Sequence, residues 1–131
     1  RIVQENLFLR SIRRSNKMGY ITLYHYTSES SAEKIKQQKV IKASDSEIQD
    51  AMFGKGVYLT SLGPQNGKTN LKQNNWDGRT KVTHKLEAYV KIKMDESDPN
   101  LEVVSARGRD IFLYKSDLGL GKYNYEIRSF S

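Results

Sequence analysis

Val82, His84, Leu86, Ala88, Val90, Ile92 and Met94 alternate without a break with Thr83, Lys85, Glu87, Tyr89, Lys91 and Lys93. A period of two sends successive side chains to opposite faces of an extended chain, so the run predicts a long strand, half buried. Such a strand needs partners for its backbone groups and a layer for its apolar face, which commits the chain to a packed sheet. Residues 21–27 are rich in β-branched and aromatic side chains and read as a second strand, with Ile21, Leu23 and His25 on one face. Shorter strands fit Val40-Ile41 and residues 57–60, 101–104, 110–114 and 123–130. Ser30-Ser31-Ala32-Glu33 reads as a capping box that opens a helix to about Gln38 and buries Ala32 and Ile35. Turn signals at Gly63-Pro64, Asn66-Gly67 and Asp77-Gly78 surround another helix near residues 69–75. Residues 1–18 suit a short helix, and 44–52 at most one helical turn. The sum is an α+β fold, with mixed, mainly antiparallel sheets curled around a cleft and one to three short helices.

A length of 131 residues fits a single domain over 1–131, with 1–18 as an N-terminal extension. No apolar run approaches the roughly 20 residues that a membrane-spanning helix needs. With no cysteine there are no disulfides, no thiolate metal ligands and no cysteine nucleophile, and an intracellular site of action is favoured. The net charge of +7 attracts anions in general, although scattered charge also serves solubility alone. Its densest cluster, Arg10, Arg13, Arg14 and Lys17, lies in the N-terminal segment and comes with no nucleic-acid-binding motif. The first residue is Arg1, and the expectation is a domain cut from a longer chain.

Chemistry concentrates in two places. His25 sits near the end of one strand, and Tyr58 follows the glycine pair Gly54 and Gly56 in Phe53-Gly54-Lys55-Gly56-Val57-Tyr58-Leu59-Thr60. An imidazole offers ring nitrogens to ribose hydroxyls, a phenol ring offers a flat face to an aromatic base, and glycines permit positive φ or close approach of the backbone. His84, on the apolar face of the long alternating run, is taken as structural. With no cysteine and no ligand spacing between the two histidines, no metal is expected.

Leu23-Tyr24-His25-Tyr26-Thr27 and the run from Met52 to Thr60 resemble the first two motifs of ADP-ribosyltransferases of the diphtheria-toxin and poly(ADP-ribose)-polymerase type. The His-Tyr-Asp (HYD-type) branch fits best. The resemblance covers residues 20–63 well and the C-terminal third more loosely, where Arg109-Asp110-Ile111-Phe112-Leu113-Tyr114 is similar to the family's third motif. It implies an enzyme that cleaves the nicotinamide–ribose bond of NAD without a metal and passes ADP-ribose to a protein, a nucleic acid or water. In that scheme His25 bonds a ribose hydroxyl, Tyr58 stacks on nicotinamide, and Asp110 stabilises the cationic ribose. The main chain of Tyr26 holds the carboxamide, Thr27 bonds the adenosine side, and Gly56 lets the backbone approach the ligand. Glu126, in Tyr125-Glu126-Ile127, is the runner-up carboxylate. Two departures narrow the activity. An aspartate replaces the polymerases' glutamate, which puts chain elongation in doubt, and Gly108 stands where arginine-specific transferases carry a second Glu or Gln. Trp76 is either a wall of the pocket or core. A binding module without turnover and a relative of the RNA 2′-phosphotransferases are the competing readings. The HYD-type family includes toxin-like domains at the ends of longer polypeptides, so a toxin and an endogenous regulatory or defence enzyme are both open. Oligomeric state is not legible.

Overall fold

The alternating run does form a half-buried strand, which among the described residues begins at Ala88. The computed structural model describes residues 19–43, 54–76, 85–104 and 108–130. The expected helix in 1–18, the expected turn in 44–52, Phe53 and His84 lie outside the described residues. The first strand, β1, is Tyr20–Thr27, and the alternating run contributes β4, Ala88–Asp95. The two pair antiparallel along their full length, from Tyr20 opposite Asp95 to Thr27 opposite Ala88. Ahead of β4, residues 85–87 are not in strand form, and Leu86 packs in a cluster with Tyr26, Leu71 and Trp76. Along β4 the pattern holds: Ala88, Val90, Ile92 and Met94 are buried, while Lys91 and Lys93 are exposed. Strand β8, Asn124–Ser129, closes the sheet on the far side of β4, giving the order β1-β4-β8.

A second sheet has the order β3-β6-β5, built from Val57–Leu59, Phe112–Tyr114 and Leu101–Val103. A small ribbon pairs β2, Val40–Ile41, with β7, Leu118–Gly119, a strand too short to leave a mark in the sequence pattern. Among the described residues every pairing is antiparallel.

Helix α1 is Glu29–Gln38 and buries Ala32 and Ile35 as expected. It starts earlier than the Ser30–Glu33 pattern suggests. Ser28, still extended at the end of β1, is the N-cap, and its Oγ accepts the Ser31 N–H at 3.1 Å. At the other end Lys39 adopts φ 58°, a left-handed cap that returns its N–H to the Ile35 carbonyl at 2.7 Å. Helix α2 is Lys68–Trp76, entered through a 3-10 turn at Pro64–Asn66.

The interior has two chemically distinct parts. An aliphatic cluster around Leu23, Ile35, Val57, Val90, Ile92 and Met94 binds both sheets and α1 together. The other cluster is largely aromatic: Tyr26 and Trp76, with Leu71 and Leu86, are flanked by Tyr24, Tyr89 and Phe130. Tyr26 is its centre, stacked on Tyr24 at 6.1 Å and tilted against Tyr89 and Phe130 at 5.8 Å.

Candidate functional site

The two sheets touch edge to edge at one point. Tyr24 of β1 and Thr60, just after β3, exchange both backbone hydrogen bonds, at 2.7 and 3.0 Å. One step along β1 the ladder is replaced. The His25 side chain reaches across, and its Nδ1–H donates to the Tyr58 carbonyl at 2.9 Å. A carbonyl only accepts, so this contact puts the proton on Nδ1, and the acceptor lone pair of a neutral ring is then on Nε2. Backbone groups alternate sides along a strand. Tyr24 directs its pair at Thr60, and the Thr27 carbonyl accepts the Glu87 N–H at 3.2 Å on the opposite side. The Tyr26 N–H and C=O therefore face the edge from which β3 has parted.

A cavity of about 250 Å³ opens at this split. His25, Tyr26 and Thr27 line it from β1, and Tyr58 and Leu59 from β3. Ser31, Lys34, Ile35 and Gln38 line it from α1, and Asn75 and Trp76 from the end of α2. Its charged lining residues are Lys34, Lys42 and Lys85, with no carboxylate among the described residues that line it. The wall suits an anion. Trp76 serves in both of the roles open to it, buried in the aromatic cluster and facing the cavity. Beneath the β1 wall the Tyr26 hydroxyl donates to the Leu62 carbonyl at 2.8 Å. Burial, reinforced by neighbouring Tyr24 and Tyr89, holds that phenol well above its ordinary ionisation range, so it stays a neutral donor.

The glycine pair divides its work. Gly54 has φ +110°, where only glycine is at ease, and its carbonyl accepts the Tyr58 hydroxyl at 2.7 Å. The tyrosine ring is thus tied back to its own loop. Gly56 is packed against a neighbouring strand. A Cβ there would lie 2.5 Å from both Leu113 Cδ1 and the Tyr114 carbonyl oxygen, so the close approach is to β6, and Gly56 is not among the cavity's lining residues.

Asp110 also lies beside the cavity rather than in its lining; its neighbour Ile111 does line it. The Asp110 carboxylate is held by the turn after β3. Oδ1 accepts from the Ser61 N–H at 2.9 Å and from Thr60 Oγ1 at 3.1 Å, and Oδ2 accepts from Ser61 Oγ at 2.5 Å. Its backbone is held from α2. Buried Asn74 accepts the Asp110 N–H on Oδ1 at 2.6 Å and donates Nδ2 to the Asp110 carbonyl at 2.8 Å. Arg109 then donates to the Asn74 and Asn75 carbonyls, at 2.6 and 2.8 Å, at the end of the helix. The competing carboxylate, Glu126, stands on the outer strand β8, where it accepts from Arg128 Nε at 2.8 Å. That bond, with Lys91 opposite, lowers its pKa, and it is not part of the cavity lining.

A sequence model of the family described as "HYD1 signature containing ADP-ribosyltransferase" matches residues 23–119. The chain belongs to that family. The match begins inside β1, ends in β7, and so takes in His25, Tyr58 and Asp110 together with both helices. No curated protein and no solved structure matches the chain.

In this ADP-ribosyltransferase domain the fold brings His25, Tyr26, Thr27 and Tyr58 to one cavity, with Asp110 at its border. Sequence reasoning missed Lys34 of α1, Lys42 just after β2 and Lys85 ahead of β4 as cavity residues, because surface lysines ordinarily read as solvated. It also missed Asn74. The available signal was position: Asn74 falls three residues after Leu71, on the buried face of α2, where a polar side chain calls for a partner. Among the described residues no group of three His, Cys, Asp or Glu side chains gathers as a metal site. No helix among them is long and apolar enough to cross a membrane.

Proposed function

We propose that this ADP-ribosyltransferase domain takes NAD as its substrate, breaks the nicotinamide–ribose bond, and passes ADP-ribose to a protein or nucleic-acid acceptor or to water. The observation that carries the reading is the split between β1 and β3, where His25, Tyr26 and Tyr58 line one cavity and the Tyr26 N–H and C=O face the edge from which β3 has parted. A primary carboxamide complements a strand edge: its oxygen accepts from the Tyr26 N–H while its NH2 donates to the Tyr26 carbonyl. The face of Tyr58 supports a stacked pyridinium, worth roughly 1 kcal/mol beyond area burial. His25 turns its other ring nitrogen, Nε2, to a ribose hydroxyl and so fixes the sugar. Thr27 serves the adenosine side, and Lys34, Lys42 and Lys85 give the lining a charge that suits a pyrophosphate. Gly56 contributes indirectly, by letting the strand that carries Tyr58 lie close on β6.

The leaving nicotinamide takes the C–N bonding pair and departs neutral. Positive charge grows on the ribose as the bond stretches, and the Asp110 carboxylate is the group that opposes it. One well-placed electrostatic partner of this kind supplies on the order of 3 kcal/mol of transition-state stabilisation. The acceptor then adds to the anomeric carbon and loses its proton. No metal takes part in this scheme.

One observation favours a second reading. The Asp110 carboxylate is engaged by Thr60 and Ser61 and is not among the lining residues, an arrangement that suits a module that binds NAD or ADP-ribose without turnover and meets an acidic partner through its basic face. Mass spectrometry after incubation with NAD separates the two. Released nicotinamide with a mass gain on protein or nucleic acid identifies a transferase, and free ADP-ribose alone identifies a glycohydrolase. Intact NAD that nevertheless binds identifies the module. Intact NAD that does not bind overturns the reading.

A further inference from the structure

We infer that Asn74 is a positioning residue for Asp110, an inference that rests on the catalytic reading of Asp110 given above. Asn74 is 8% exposed, sits on the inward face of α2, and grips Asp110 by its main chain with both ends of one amide. The contact has the form of a strand pairing made by a side chain. Acceptor meets N–H at 2.6 Å and donor meets C=O at 2.8 Å, so the peptide groups flanking Asp110 are fixed in translation and in tilt. The same Nδ2 lies 3.3 Å from Thr60 Oγ1, which itself donates to the Asp110 carboxylate at 3.1 Å. Asn74 therefore touches both the main chain of Asp110 and one of the two side chains that aim its carboxylate.

The junction extends to the cavity wall. Arg109 caps the Asn74 and Asn75 carbonyls, and the next helical residues, Asn75 and Trp76, line the cavity. One buried amide thus sets the carboxylate against the wall that faces the ligand. A misplacement of about 1 Å in such a constellation costs up to a hundredfold in rate, whereas binding at His25, Tyr26 and Tyr58 does not depend on it.

The test is a double-variant cycle read on NAD cleavage, with nicotinamide binding and thermal unfolding as controls. Asn74→Ala is expected to lower kcat about tenfold or more while nicotinamide affinity stays within about threefold of the parent. In the Asp110→Asn background the same change is expected to do almost nothing, because residues that act as one unit are not additive. Amide exchange at Asp110 reads the grip without turnover and is expected to quicken at least about tenfold. If Asn74→Ala does not fold, Asn74→Asp takes its place in the cycle: it keeps the shape and the Oδ1 acceptor and loses the donor. Equal losses of kcat in both backgrounds mean that Asn74 acts independently of Asp110, and overturn the inference. So does faster exchange at Asp110 with kcat unchanged. Full activity of Asp110→Asn by itself removes the catalytic reading of Asp110 and the inference with it, an outcome seen without any Asn74 variant.

Discussion

The two sheets that meet at Tyr24 and Thr60 are held in different ways. On one side β1 and β4 share an eight-residue ladder, with Leu23, Val90, Ile92 and Met94 fully buried around it. On the other, β3 and β6 share three residue pairs, and the junction beyond them depends on Thr60, Ser61, Asn74 and Asp110. A ladder with an aliphatic face is insensitive to any one side chain's direction, because its hydrogen bonds belong to the backbone. A junction of side chains holds only while each partner is present. The laddered sheet is accordingly the scaffold, carrying His25 and the Tyr26 edge, and the junction of side chains is what holds Asp110.

The contrast breaks first at the scaffold. Leu23→Ala removes a fully buried side chain from the aliphatic cluster and is expected to cost about 2–5 kcal/mol of stability, measured by denaturant unfolding. A loss well under 1 kcal/mol would mean that the laddered side is not the scaffold. On the other side, Ser61→Ala deletes the 2.5 Å bond to Asp110 Oδ2 and should cost only about 1–2 kcal/mol. Turnover of NAD should nevertheless fall about tenfold. A variant that loses stability and activity in proportion would put Ser61 in the scaffold instead.

Tyr58 sharpens the comparison at the split itself. Tyr58→Ala should weaken nicotinamide binding about fivefold to tenfold, the worth of roughly 1 kcal/mol of stacking, in a competition assay. Tyr58→Phe keeps the ring, loses the bond to the Gly54 carbonyl, and should be milder. Parent-like binding by both variants would move the nicotinamide elsewhere.

The smallest expected effect is electrostatic. The Ala43 N–H, with Lys42 nearby, holds the exposed Asp117 carboxyl below its ordinary range. Because the folded pKa is the lower one, the stabilisation is present above the ordinary carboxylate pKa and is lost as pH falls through the lowered value. The Tm difference between the parent and Asp117→Asn should be slight at neutral pH and vanish in acid. A difference that grows in acid would reverse the sign of that shift.

The laddered side was also the legible side. Alternation gave β4 and its buried set, β-branched and aromatic content gave β1, and α1 was found through Ala32 and Ile35, although its cap is Ser28. What escaped the sequence was tertiary. Leu86 fits the strand alternation but is drawn into the aromatic cluster, and β7 is two residues long. Gly56 announces a close approach without naming its neighbour, which is β6. The same holds for the site: motifs marked His25, Tyr58 and Asp110, whereas Asn74 and Ser61 matter through partners 36 and 49 residues away in the chain.

The central claim is that the side-chain-held junction carries the charge of the reaction on Asp110. The most direct measurement is the rate of nicotinamide release from NAD at saturation by Asp110→Asn, with Glu126→Gln assayed beside it. Asparagine keeps the size of the side chain and removes its charge, so kcat should fall by about a hundredfold or more with little change in NAD affinity. Glu126→Gln, on the outer strand and paired with Arg128, should keep parent-like turnover. An active Asp110→Asn beside an inactive Glu126→Gln would contradict the account.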